Sequence, residues 1–245
     1  MITTIAMLTL RQLLGKRRTI VLSLFAVLPV GLALLFAFRG DRDPAGWTAT
    51  RLLAQIVVGT LLPLAALVFG TAALGSEIED GTAVYLLSKP IPRWRILAAK
   101  LLVAWAVTSA FVVVSAVVAA LVALQGAPES GRILAGFSVA IAAGAFVYSC
   151  IFVLLSVVTS RAFITGLIYV FVWEAVVTRL FTGTRVFSVR QYTLGVADLA
   201  AGVNEKVFKS QLDGTAAVIL MAVVALVAAV LAVRRLQSFE TGEAG

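Results

Sequence analysis

Histidine is absent from the 245 residues and cysteine occurs once, as Cys150. These two shortages leave no ordinary metal site, no disulfide and no thiol–imidazole nucleophile. Charge is scarce too: Asp, Glu, Lys and Arg make up 13% of the chain, about half the share of a soluble domain. A phosphate cradle is also missing. Gly15-Lys16 is followed by Arg17, has no glycine five residues before Gly15, and does not connect a strand to a helix. Ser109, Ser115, Ser149 and Ser156 are scattered with no base near them in sequence, and such hydroxyls in apolar helices ordinarily bond to backbone. No catalytic, cofactor-binding or metal-binding residue emerges, and the chain does not read as an enzyme.

Apolar residues are abundant. They make up 61% of the chain, with a mean hydropathy of +1.06. They fall in blocks at 19–38, 52–74, 96–124, 133–159, 164–180 and 215–233. A run of about 20 apolar residues crosses a hydrocarbon core as an α-helix, and tilt accommodates the longer blocks. The fifth block is short and contains Glu174, so it is the weakest of the six. A membrane barrel would instead show short segments of alternating polarity. The expected fold is an all-α integral membrane protein with about six transmembrane helices in one domain over 1–245.

Lys16, Arg17 and Arg18 precede the first block as they would in a secretory signal, but the block is too long and lacks a small-residue cleavage site. An uncleaved signal anchor fits better. With six spans, the 20 basic residues divide into 11 on one side and 9 on the other, a weak asymmetry. The first helix is more informative. Arg11, Lys16, Arg17 and Arg18 precede it, whereas Arg39 and Arg42 follow it, interleaved with Asp41 and Asp43. Both termini are therefore expected in the cytoplasm. The net charge of +8 is explained by Lys and Arg flanking lipid, and no basic face suited to nucleic acid forms.

The segment 75–95 joins the second and third blocks. It opens with Glu77, Glu79 and Asp80, and Gly81 can break the incoming helix. Ala83 to Leu87 is apolar but too short to span, which suits a short helix at the membrane face. Pro90 and Pro92 stop that helix, and Arg93 and Arg95 mark re-entry at the headgroups. An ordinary proline-turned loop and a rigid docking element are both compatible with these residues.

The same segment resembles the signature of ABC-2 type permeases, the membrane subunits of ABC transporters. The matching positions are Glu77, Gly81-Thr82, Leu86-Leu87-Ser88, Pro90, Arg93 and Lys100. The likeness is close over about 25 residues, and the six-block layout extends it in kind. The resemblance implies that 75–95 is a coupling loop whose helix docks on a separate ATPase subunit, with ATP and Mg held by that partner and none by this chain. Val84, Tyr85 and Leu87 would be apolar knobs, and Glu77, Glu79, Asp80 and Arg93 the charges that fix register. Further implications are a second permease chain, identical or related, membrane lipid as surroundings, and a place in the plasma membrane of a prokaryote. Export rather than import follows by analogy only. The alternative is a self-sufficient channel or ion-coupled transporter. Pro29 and Pro63 interrupt two blocks, but no inverted repeat accompanies them.

Other features are local. Ile2, Ile5, Ala6, Leu10, Leu13 and Leu14 recur at helical spacing, so 1–18 reads as an amphipathic interfacial helix, which in the resembling family also touches the ATPase. Lys100, about one turn inside the third block, either snorkels to the headgroups or pairs with Glu77 or Glu79. Glu174, with Trp173 and Tyr169 beside it, either lines a translocation path, pairs with Arg179 or another charge, or sits near the outer end of its span. The connection 181–214 contains periodic apolar pieces such as 196–203, so it is not simply disordered, and the resemblance implies a re-entrant or surface helix there that helps close the outer exit. Gly136, Ala140 and Gly144 form a small-residue stripe that admits a close helix neighbour.

Overall fold

The structure, a computed structural model, describes residues 7–11, 13, 17–39, 43–79, 92–127, 129–180 and 182–238. Helix dominates these residues, and no strand occurs among them. Residues 7–11 and 13 are helical. Helix α1 spans Arg17–Arg39. Helix α2 is continuous through Pro44–Trp47, Thr48–Leu61 and Leu62–Glu79, and its middle piece is wound as a π-helix. Helix α3 is Arg93–Leu124 and α4 is Ser130–Val158. Helix α5 comprises Ala162–Ile168, a π-wound Tyr169–Val177, and Thr178–Leu180. A 3-10 turn, Thr182–Phe187, precedes α6, Val189–Ala201, and α7 is Gly214–Ser238.

Local chemistry sets several ends. Asp43 Oδ1 accepts the Gly46 N–H at 2.9 Å, and Pro44 follows it at the first helical position of α2, where a missing N–H costs nothing. Pro92 immediately precedes α3. Gln125 and Gly126, both at positive φ, end α3. Ser188 caps α6 by accepting the Gln191 N–H, and Gly202 at φ 53° closes it with its N–H on Asp198 O.

Four stretches are long and apolar enough to cross a membrane: Pro44–Gly75, Trp94–Leu124, Ser130–Val158 and Gly214–Gln237. Ser23–Phe38 and Ala162–Val177 are shorter apolar helices. The outward faces carry the solvent argument. Leu24, Leu35 and Phe38 on α1, and Ile219, Val223 and Leu226 on α7, are all more than half exposed. So much apolar surface is unfavourable in water and costs nothing in hydrocarbon.

The core centres on α2, α4 and α6, with Leu62, Leu67, Phe137, Tyr148, Phe152 and Tyr192 buried. The small-residue stripe on α4 receives α6, the short helix of the 181–214 connection. A Cβ on Gly136 would stand 2.5 Å from Ala201 N, and one on Gly144 would strike Thr193 Oγ1. These pairings make α6 antiparallel to α4. Thr193 therefore lies level with a point about 20 Å along α4 from Ser130. Helix α5 is antiparallel to α4 as well, since Gly166 meets Phe152 while Glu174, further along α5, faces Tyr148, one turn earlier on α4. The chain thus doubles back after α5: Ser188 returns to the level of Glu174, and α6 climbs again to Gly136. The soft fifth block is half of a paired element, and its polar residue marks the junction.

Candidate functional site

Glu174 sits at that junction and is 3% exposed. Its carboxylate accepts the Val189 N–H at 2.9 Å, the Ser188 hydroxyl at 2.5 Å and the Tyr169 hydroxyl at 3.1 Å. The buried Tyr148 hydroxyl faces the same carboxylate without completing a hydrogen bond of normal geometry. Glu174 therefore satisfies the first N–H of α6, an acidic group at the positive end of a helix dipole. The sequence did not offer this role for Glu174: the geometry shows it capping another helix. Tyr169 joins the cluster. Trp173 does not: its Nε1 donates to Phe187 O at 3.2 Å on the turn that leads back into the bundle.

A cavity of about 570 Å³ adjoins the cluster, near the start of α2 and far from its Glu79 end. Its wall includes Arg51 and Gln55 of α2, Thr178 of α5, Arg185 of the 3-10 turn, Arg190 and Gln191 of α6, and Lys209 of the following loop. Arg190 follows Val189, the residue Glu174 holds, and its guanidinium packs over Gly59, where a Cβ would come within 3.1 Å of Nε. Both π-wound stretches border this region: Arg51 and Gln55 lie in one and Glu174 in the other. Widened helical turns recur at functional sites because they redirect side chains. None of these cavity residues stood out in the sequence. The available signal was the near-even 11 to 9 division of basic residues, because four of the nine, Arg51, Arg185, Arg190 and Lys209, line this one space.

A second cavity, of about 700 Å³, lies between α1, α2 and α3 and is lined by apolar groups such as Val27, Phe69, Phe111 and Val114. Its one hydroxyl, on Ser115, donates to Ala26 O at 2.7 Å and so ties α3 to α1.

Asp80, Gly81, Thr82, Val84, Tyr85, Leu87 and Pro90 of the coupling loop lie outside the described residues. Glu77, Glu79 and Arg93 are described as helix backbone, Glu77 and Glu79 at the end of α2 and Arg93 at the start of α3. Lys100 is a correction to the snorkelling expectation. It is fully buried, and its Nζ donates to Ala73 O of α2 at 2.8 Å, while the side chains of Glu77 and Glu79, its expected alternatives, lie outside the described residues. The serines follow the expectation in part. Ser115 and Ser156 bond to backbone carbonyls, while the hydroxyls of Ser109 and Ser149 are buried without a partner among the described residues. At the N-terminus Leu13 is buried and Leu10 borders the apolar cavity, whereas Met7 and Leu8 are exposed.

Four membrane-length apolar helices and two shorter ones among the described residues make this a multi-pass membrane protein, with a polar cavity open to one side. A family model described as ABC-2 family transporter protein matches residues 14–177. That match covers more than half of the chain, and the chain belongs to this family: it is an ABC transporter permease of the ABC-2 type. No curated protein matches it.

Proposed function

We propose that this chain forms the translocation pathway of an ATP-driven exporter and is moved by a separate ATPase subunit that docks on the 75–95 connector. The observation that carries the reading is the family match over 14–177, which includes the connector and its Glu77, Gly81-Thr82, Pro90 and Arg93 pattern. In this reading α1 to α4, the α5–α6 pair and α7 make six passages, with both termini in the cytoplasm of a prokaryotic cell. Two permease chains and two ATPases assemble, and ATP with Mg is bound by the ATPases. Closure of the ATPases pulls the connectors together and biases the pathway outward, which requires that the docked loop contact them differently in the two states. Lys100, bound to α2 from α3 just inside the membrane, supports this role by making the two helices that flank the connector move together.

The test is affinity purification of the tagged full chain from native membranes in mild detergent. An ATPase with Walker motifs is expected to copurify, and Val84→Asp with Leu87→Asp is expected to reduce its recovery at least tenfold without changing insertion. Sustained transport by the purified chain in vesicles, driven by an ion gradient with no ATPase present, would overturn the proposal.

A further inference from the structure

We propose that the cationic cavity beside α6 is a binding site for an anionic phosphate group. Three guanidinium groups and one ammonium, from Arg51, Arg185, Arg190 and Lys209, converge on one space from four separate pieces of the chain. Lys209 is also bonded to Glu205 at the surface, and among the described residues no carboxylate lines the cavity itself. Gathering like charges is unfavourable unless an anion or water screens them, and Arg51, exposed near the start of α2, adds its charge to this polar wall. The amide side chains of Gln55 and Gln191 and the Thr178 hydroxyl add neutral hydrogen-bonding groups to the same wall.

Guanidinium is the side chain best matched to phosphate oxygens, because its planar fork donates two parallel hydrogen bonds. Several such forks on one cavity favour an anion with three or more acceptor oxygens over a single carboxylate. About 570 Å³ is in the range that holds a ligand of tens of atoms, so a phosphate bearing further groups fits as well as the bare ion. The arrangement is held in place. Val189, next to Arg190, is bonded to Glu174 and the Arg190 guanidinium packs on Gly59, while the turn that carries Arg185 is tied at Phe187 O to Trp173. Two sources supply this chemistry: the headgroup of an anionic phospholipid, or a phosphate from solution. The site rests on the permease reading only for its place on the outer side of the membrane.

The experiment is ligand-observed phosphorus NMR on the full chain in detergent, with inorganic phosphate, dihexanoyl phosphatidylglycerol and, as the net-neutral control, dihexanoyl phosphatidylcholine. Binding of inorganic phosphate or the glycerol lipid in preference to the choline lipid is expected, weakening with added salt. Binding of the glycerol lipid alone would identify the source as a headgroup, and binding of inorganic phosphate alone a solution anion. Arg51→Gln with Arg185→Gln removes two forks and is expected to weaken binding about tenfold or more. Should that double variant lose its thermal unfolding transition, Lys209→Gln, on a side chain 58% exposed, takes its place with a smaller loss expected. Binding that is unchanged by these substitutions, choline lipid held as tightly as glycerol lipid, or no binding of either anion would overturn the proposal. Because no ATPase is present, such a failure leaves copurification of the ATPase, and with it the permease reading, untouched.

Discussion

Replacing Glu174 by alanine would leave the Val189 N–H and the Ser188 hydroxyl buried with no acceptor from α5. Each such loss costs about 1–3 kcal/mol, so Glu174→Ala is expected to destabilise the purified chain by at least about 2 kcal/mol in detergent unfolding. Glu174→Gln keeps one carbonyl oxygen for Val189 and is expected to lose less. Equal unfolding of wild type and Glu174→Ala would show that the carboxylate does not hold α6. Lys100 illustrates the same point for a cation. Placed in an apolar helix, it is accommodated by a carbonyl of the neighbouring helix, Ala73 O. Each of these buried charges joins two helices, which is how a low-dielectric interior tolerates them.

Among elements, the α4–α6 contact is the most demanding, because backbone meets backbone. Gly136→Val would push side-chain carbon into Ala201 and is expected to cost about 1–3 kcal/mol, with faster proteolysis in the 202–213 loop. Gly131→Val, on the same helix, meets open space and is the control. If both variants behaved alike, close approach of α6 would not be the cause of the loss, since valine is the better helix former of the two residues. The π-wound stretches of α2 and α5 belong to this scale too. Arg51 and Gln55 of one line the cavity beside α6, and Glu174 of the other holds the first N–H of α6.

At the scale of the whole molecule, the proposed orientation makes a definite prediction. Cys150 is buried, so the chain offers little background to thiol reagents. Asn204→Cys, in the exposed loop after α6, is expected to react with an impermeant maleimide in intact cells. Gln237→Cys, exposed near the end of α7, is expected to react only after permeabilisation. The reverse pattern would invert the topology and place the cationic cavity on the cytoplasmic side.

Much of this was legible in the residues themselves. Unbroken apolar blocks specify membrane helices because a backbone in hydrocarbon must satisfy its own hydrogen bonds, and that requirement acts locally. The connector pattern from Glu77 to Lys100 pointed to the family for a related reason: prolines, glycine and charges at fixed spacing constrain one short piece of chain. The stripe at Gly136, Ala140 and Gly144 announced a close neighbour but not its identity, since any helix, including the short α6, can fill it. Tertiary structure alone determined what Glu174 and Lys100 hold, and that Arg51, Arg185, Arg190 and Lys209 share one cavity. Those residues are up to 158 positions apart, from Arg51 to Lys209. Hydropathy and spacing describe a helix against its solvent; which side chains meet across the bundle is decided only when the helices pack.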